Sequence, residues 1–241
     1  MNVKKKILYG ILAVFCICTV VIFIYLNDYY HTDTEAVAAF NKNYELSGNE
    51  SDGIIAYVPE NPLAAFVFYP GGKVEYTAYE ALMLACAERG ILCVLVEMPF
   101  NLAVFDIDAA AEIKDLFPEI ESWYIGGHSL GGSMAAGYLA DSSESYEGLV
   151  LLGSYSASDL SDTEIRTLSI YGSEDRIMNR DKYNESLQML SDDFTEFVIE
   201  GANHAQFGMY GEQDGDGKAT ISNEEQIRIS SELIADFILD N

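Results

Sequence analysis

The sequence predicts a three-layer αβα fold with a mostly parallel sheet and no large lid domain, preceded by an N-terminal transmembrane helix. Three observations support this prediction: short continuous apolar runs, segments of helical spacing between them, and one long uncharged segment near the N-terminus. Apolar runs of strand length are typical of parallel strands that are buried on both faces. Strands that alternate with helices indicate a parallel sheet with right-handed crossovers. The 241 residues suffice for one such domain.

The N-terminal segment has the pattern of a membrane anchor. Residues 1–6 form a basic tail with lysines at positions 4–6, and residues 7–26 carry no charge. About 20 apolar residues span the hydrocarbon core of a bilayer. A cleaved signal peptide is the alternative, but the run ends in Ile22–Leu26 without a small-residue cleavage site. We therefore predict a single-pass signal anchor in the cell membrane, with a cytoplasmic tail and an extracytoplasmic domain.

A polar stretch, residues 27–52, separates this anchor from the domain, residues 53–241. We interpret it as a juxtamembrane linker, with a loosely docked first helix around Glu35–Phe40 as the alternative. The predicted strands are Ile54–Val58, Ala64–Tyr69, Ile91–Val96, Ser122–Ile125, Gly148–Leu152, Thr167–Tyr171 and Phe194–Ile199. The predicted helices are Tyr76–Arg89, Ala109–Phe117, Leu130–Leu139, Asp181–Leu190 and Glu224–Leu239.

Charge and cysteine content exclude some classes of function. The net charge is −26, and all 39 acidic residues follow Leu26. A surface this acidic repels nucleic acid, so we expect no nucleic-acid partner. Of the four cysteines, Cys16 and Cys18 lie in the apolar segment. Cys86 and Cys93 have core-type neighbours and are interpreted as small buried hydrophobes, with a Cys86–Cys93 disulfide left open.

The stretch Trp123–Gly137 contains the strongest functional motif. Its core, Gly127–Gly131, reads G-H-S-L-G and matches G-x-S-x-G between a predicted strand and a predicted helix. In that setting a serine occupies a strained turn that exposes its hydroxyl, and the following helix N-terminus can face an oxyanion. A glycine-rich turn without catalytic function is the alternative. We interpret Ser129 as a nucleophile.

From residue 53 onward the sequence resembles the α/β-hydrolase fold family, in particular its small dienelactone-hydrolase-like members. The resemblance rests on Gly127–Gly131, Tyr69–Lys73, Tyr171–Asp175 and Gly201–His204. It implies the α/β-hydrolase fold and a catalytic triad in the chain order serine, acid, histidine.

A serine hydroxyl needs a base within hydrogen-bond reach. Among the three histidines, His31 lies close to the membrane segment, and His128 directly precedes Ser129, so that its side chain should point away from the hydroxyl. His204 follows the last predicted strand and is the predicted base.

The remaining site residues follow from the same resemblance. Asp175, just past a strand end, would orient the histidine, with Glu174 as the nearest rival. The oxyanion would receive hydrogen bonds from the backbone N–H of Leu130 and from that of either Gly72 or Lys73. A purely structural role for the glycine turn is the alternative.

A second polar stretch, Gly211–Glu225, partly matches a calcium-binding EF-hand loop. Lys218 stands at a ligand position and Ala219 where the turn needs glycine, so we expect no calcium site. We interpret the stretch as a turn before the last helix, with Ser222 as N-cap and Glu225 completing a capping box. No other metal or cofactor motif is found, and we expect neither.

Together these features predict a membrane-anchored extracytoplasmic serine hydrolase of the carboxylesterase type. It would cleave an ester-type acyl bond through a Ser-His-Asp triad and an acyl-enzyme. Only about 14 residues separate the strands ending near Leu152 and beginning near Thr167, too few for a helical lid, so we expect an open site for small or extended acyl substrates. A non-catalytic binding domain and an envelope acyltransferase that uses the same triad are the alternatives.

Overall fold

A computed structural model describes residues 3–240. The first helix, α1 (Val3–Asn27), contains a 19-residue stretch, Tyr9–Asn27, that is long and apolar enough to cross a membrane. None of that stretch is buried against the rest of the protein. Residues 1 and 2 of the predicted cytoplasmic tail lie outside the described residues.

The domain is built on one eight-stranded sheet. Its strands are β1 (Asn49–Ser51), β2 (Ile54–Tyr57), β3 (Ala64–Tyr69), β4 (Ile91–Val96), β5 (Trp123–His128), β6 (Gly148–Leu152), β7 (Arg166–Gly172) and β8 (Phe194–Ile199). The spatial order is β1-β2-β4-β3-β5-β6-β7-β8. The first two strands pair antiparallel, and β2 pairs antiparallel with β4, whereas β4, β3, β5, β6, β7 and β8 run parallel.

Helices cover both faces of the sheet. They are α2 (Thr34–Asn41), α3 (Glu80–Ala87), α4 (Ile113–Leu116), α5 (Leu130–Ser142), α6 (Arg180–Ser186) and α7 (Asn223–Leu239). Residues of α2, α3 and α7 share one core with the sheet, and residues of α4 and α5 share the other. The predicted three-layer architecture is therefore confirmed, and only residues 153–165 connect β6 to β7, without a large lid.

The helix predicted over Ala109–Phe117 is wrong over most of its length. Short 3₁₀ turns occupy this region, and only Ile113–Leu116 is α-helical. At the start of this region the hydroxyl of Tyr69 donates to the carbonyl of Ile107 and accepts the N–H of Ala110, both at 2.8 Å. These contacts hold Ile107–Ala110 in a 3₁₀ turn that begins before the predicted helix.

Residues 28–52 contact the domain along much of their length. Asp33 caps α2 by accepting the N–H of Ala36, and Val37 and Phe40 are buried in the core shared with α3 and α7. Tyr30 forms an isolated parallel bridge with Val74. The docked helix, which the sequence left open as an alternative, is thus present, whereas strand β1 was not predicted.

Two smaller predictions concern Cys86, Cys93 and the last helix. Both cysteines are free and buried, and burial raises the pKa of the Cys93 thiol well above its usual value, with the neighbouring Cys86 adding to the effect. Ser222 caps α7 as predicted, since its Oγ accepts the N–H of Glu225 at 3.1 Å. The capping box is incomplete, because the Glu225 carboxylate binds Arg228.

Candidate active site

The turn between β5 and α5 presents Ser129 at the carboxyl edge of the sheet. Its backbone has φ 52° and ψ −119°, a conformation that is strained for a residue with a side chain. Close packing explains the glycine before it: a Cβ at Gly127 would lie 2.5 Å from the carbonyl oxygen of Tyr69. The Ser129 N–H donates to Leu152 at 2.9 Å, and the hydroxyl of Ser154 donates to the Ser129 carbonyl at 2.6 Å. The strained turn is therefore fixed from β3 and β6.

The structure brings Asp175 and His204 together, although 28 residues separate them in the chain. Asp175 Oδ2 lies 2.8 Å from His204 Nδ1, and both side chains are almost completely buried. The other carboxylate oxygen accepts the N–H groups of Ile177 and Met178, both at 2.9 Å. These contacts hold the carboxylate in one orientation and fix the imidazole through Nδ1.

Electrostatics favour the ionised form of Asp175. Burial by itself would raise the pKa of this carboxyl group. The hydrogen bond and charge of His204, with the amides of Met178 and Ile177, act in the opposite direction and bring the pKa below its ordinary value. The pair is therefore suited to stabilise a positive charge on the imidazole.

His204 lies against the turn of Ser129, but no hydrogen bond joins it to Ser129 Oγ in the described structure. The rings of His204 and His128, the residue before Ser129, are 4.4 Å apart. Ser129 lines a small cleft of about 240 Å³ together with Gly153, and a Cβ at Gly153 would lie 2.9 Å from His204 Nδ1. Catalytic hydrogen bonds are often long without substrate and tighten when it binds.

The residues predicted to donate to the oxyanion are neighbours in the structure. A Cβ at Gly72 would lie 2.9 Å from Cδ2 of Leu130, so the two residues are in contact. The N–H of Lys73 donates to the carbonyl of Asn101 at 2.7 Å and is thereby occupied. The N–H groups of Gly72 and Leu130 have no hydrogen-bond partner within residues 3–240. Of the two alternatives for the second donor, the geometry favours Gly72.

His128 is connected to the glycine turn through a buried tyrosine. It is buried, and its Nδ1 lies 2.8 Å from the hydroxyl of Tyr79, which in turn accepts the N–H of Gly71 at 3.1 Å. Burial, with a smaller electrostatic effect of His204, lowers the pKa of His128 well below its usual value. A neutral histidine therefore connects the serine turn to the glycine turn.

Asp216 is a functional candidate that the sequence analysis missed. Its Oδ2 accepts the N–H of Ala205 at 2.9 Å, and its Oδ1 accepts the N–H of Arg176 at 3.2 Å. Ala205 follows His204, and Arg176 follows Asp175, so one carboxylate joins the loops that carry both residues. The sequence offers one signal, the Asp-Gly-Asp-Gly run at residues 214–217, which by itself indicates only a polar turn.

A larger polar cleft of about 560 Å³ lies beside this Asp216 loop, but neither Ser129 nor His204 lines it. Within residues 3–240 no group of three or more histidine, cysteine, aspartate or glutamate residues is placed to hold a metal ion.

Comparison with known proteins adds the family. A model of the alpha/beta hydrolase family matches residues 65–228, which include the serine turn and the His204 loop. The chain belongs to the alpha/beta hydrolase family. Membership supports hydrolase activity of the alpha/beta hydrolase type, and it confirms the fold that the sequence motifs implied. A search of the curated proteins finds no match.

Several solved structures share this alpha/beta hydrolase fold. A dienelactone hydrolase from Anabaena variabilis superposes with a TM-score of 0.59 at 15% identity, covering 79% of this chain and 98% of that one. Est1E from Butyrivibrio proteoclasticus gives 0.57 at 12% identity, covering 81% and 98%. A predicted CIB-like hydrolase from Thermoplasma acidophilum gives 0.55 at 15% identity, covering 80% and 98%. At these identities the likeness concerns the fold alone.

Proposed function

We propose that the chain is a membrane-anchored extracytoplasmic serine hydrolase that cleaves an ester-type acyl bond. The observation that carries the proposal is the buried Asp175–His204 pair at 2.8 Å, packed against the strained turn of Ser129. This is the arrangement that a serine hydrolase needs, in the chain order of the family.

The same groups act in both half-reactions of the proposed mechanism. Ser129 Oγ attacks the acyl carbonyl while His204 Nε2 accepts its proton, and Asp175 holds the imidazole at Nδ1 and stabilises its positive charge. The N–H groups of Leu130 and Gly72 donate to the developing oxyanion. His204 returns the proton to the leaving alcohol, and water then hydrolyses the acyl-enzyme by the same sequence of proton transfers.

The nucleophile can be tested with a matched pair of serines. Ser133 lies one turn further along α5 and lines the same cleft as Ser129. We expect Ser129→Ala to abolish hydrolysis of p-nitrophenyl acetate and labelling by a fluorophosphonate probe, whereas Ser133→Ala keeps the labelling. Intact mass spectrometry measures the adduct. Labelling or hydrolysis that persists in Ser129→Ala would refute the assignment.

The anchor is supported by the apolar stretch Tyr9–Asn27 and by the lysines at positions 4–6. If the domain is extracytoplasmic, protease added outside intact spheroplasts should digest residues 53–241, and alkaline carbonate should leave the full chain in the membrane pellet. A domain that is protected until the cells are lysed would refute this orientation.

A further inference from the structure

The end of α1 is attached directly to the turn that carries Gly72. Lys73 Nζ lies 2.8 Å from Asp28 Oδ2 and 4.5 Å from the ring centroid of Tyr25. The N–H of Tyr30 donates to the Lys73 carbonyl at 2.7 Å. The chain that leaves the helix therefore runs beside the candidate oxyanion turn, without an intervening flexible tether.

This attachment places the turn close to the membrane surface. The stretch Tyr9–Asn27 is 19 residues long, or about 28 Å at 1.5 Å per residue, close to the ~30 Å hydrocarbon core of a bilayer. The headgroup region adds only about 5–8 Å on each side. Asp28 is the next residue, so the turn that it contacts lies at the level of the headgroups.

An exposed apolar patch is located beside the same turn. We name residues 99–105 the aromatic loop; within it Phe100, Val104 and Phe105 are 58%, 49% and 59% exposed. The loop is tied to the turn by the hydrogen bond from Lys73 N–H to the Asn101 carbonyl. The rings of Phe100 and Phe105 meet edge to face at 5.8 Å, so they present one continuous apolar surface.

The backbone of the aromatic loop is strained at Phe100, which carries one of the two exposed rings. Phe100 and Asn101 both have φ 56°, in the left-handed region. A bulky residue adopts this conformation only where its surroundings enforce it, and such strain concentrates at functional positions. Large exposed aromatic side chains beside a membrane helix are typical of the interfacial region.

Charge selects the kind of membrane surface. Glu97, Asp106 and Asp108 flank the aromatic loop and are exposed. Like charges repel, so an anionic lipid surface is disfavoured, and a zwitterionic or neutral surface is favoured.

We propose that the aromatic loop inserts into the zwitterionic bilayer surface beside α1 and that the substrate is an ester with a long acyl chain held in that bilayer. This inference rests on the proposed esterase function and on the proposed anchor. The acyl chain would leave the bilayer along the loop, pass Leu102, which lies beside Gly72, and present its carbonyl to Ser129.

Leu63 provides a matched control residue. It is 73% exposed and precedes the amino end of β3, at the sheet edge opposite Ser129.

The first experiment tests insertion without reference to activity. Trp123 is buried and is the only tryptophan, so Phe100→Trp and Leu63→Trp each add one exposed reporter to the full chain in phosphatidylcholine vesicles. Brominated phosphatidylcholine should quench the Phe100→Trp reporter and spare the Leu63→Trp reporter. Equal quenching of the two would overturn the insertion.

The second experiment tests the substrate class. The full chain in phosphatidylcholine vesicles is assayed with p-nitrophenyl palmitate, which partitions into the bilayer, and with soluble p-nitrophenyl acetate. The double substitution Phe100→Ser with Phe105→Ser should lower the ratio of the palmitate rate to the acetate rate by about tenfold or more. Withdrawing each phenyl ring from water into the bilayer favours the inserted loop by about tenfold or more in its equilibrium constant. Leu63→Ser should leave the ratio unchanged. An unchanged ratio in the double variant would overturn the inference, whereas a wild-type chain that cleaves neither ester would refute the esterase function itself.

Discussion

Replacing Asp216 with asparagine should separate the loop of the predicted base from the loop of its acid. In the structure the Asp216 carboxylate accepts the N–H groups of Ala205 and Arg176, one residue beyond His204 and Asp175, and also the N–H of Gly217 at 2.7 Å. Asparagine keeps one acceptor oxygen and turns an N–H₂ donor toward the other backbone N–H. At least one of the three hydrogen bonds must therefore be lost.

The size of the effect follows from these contacts. A hydrogen bond to a charged acceptor contributes about 1.5–3 kcal/mol. Because Asp216 is partly exposed, we expect the free energy of unfolding to fall by only about 1–2 kcal/mol, or about 2–8 °C in Tm for a domain of this size. A catalytic group misplaced by ~1 Å can cost about 10²-fold in rate. We therefore expect kcat to fall by about 10- to 100-fold, with KM little changed.

The assay is steady-state hydrolysis of p-nitrophenyl acetate by the full chain, together with the rate of fluorophosphonate labelling at Ser129. The control is Asp214→Asn, which removes the same charge two residues away, from an exposed side chain. We expect this control to match the wild type in both assays. If Asp216→Asn raised KM without lowering kcat, or if Asp214→Asn lost as much activity, the positioning role of Asp216 would be refuted.

Three further predictions concern stability. His128→Gln removes a histidine whose pKa is lowered by burial, so the unfolded chain binds the proton more readily than the folded chain. The free energy of unfolding of the wild type should therefore decrease below about pH 6.5, with a slope approaching ~1.4 kcal/mol per pH unit. Urea unfolding of the variant should show a shallower slope. Tyr79→Phe leaves the Gly71 N–H and the His128 Nδ1 without a partner and should cost about 2–4 kcal/mol by the same measurement. Ser222→Ala removes the N-cap of α7 and should cost about 1 kcal/mol.

Each of these has a clear contradicting result. If the free energy of unfolding depended on pH in the same way for wild type and His128→Gln, the pKa of this histidine would be the same in the folded and unfolded states, against the prediction. Each buried polar group that is left unpaired costs about 1 kcal/mol or more. A loss below about 0.5 kcal/mol in Tyr79→Phe would therefore show that the Gly71 N–H and His128 Nδ1 are not left unpaired, and it would contradict the prediction. Unchanged stability in Ser222→Ala, compared with Ser161→Ala on an exposed loop, would show that the cap does not stabilise α7.

Much of the sheet could be predicted from the sequence because most of its parallel strands are continuously buried. The runs Ala64–Tyr69, Ile91–Val96, Gly148–Leu152 and Phe194–Ile199 are strands with the predicted bounds. The first three are continuously buried, so their apolar runs begin and end where the strands do. Local pattern and tertiary environment agree there.

The failures occur where a distant residue decides the local structure. Nothing in Ala109–Phe117 itself shows that the hydroxyl of Tyr69 binds the carbonyl of Ile107 and the N–H of Ala110. Likewise, the engagement of the Lys73 N–H depends on Asn101, which is far along the chain. The Gly127–Gly131 motif could be recognised because its strain is local, whereas the choice between Gly72 and Lys73 as the predicted oxyanion donor depends on the assembled loops.

The tie between Tyr30 and Lys73 also has a mechanical consequence. A helix joined to a domain by a flexible tether can tilt without moving the domain, but here the first residues after α1 share hydrogen bonds with the glycine turn. A change in tilt of α1 is therefore transmitted as a force on that turn. In the proposed membrane-anchored arrangement, α1 would adjust its tilt to the thickness of the bilayer around it. Bilayer thickness would then be a physical variable to which the geometry beside Ser129 is coupled.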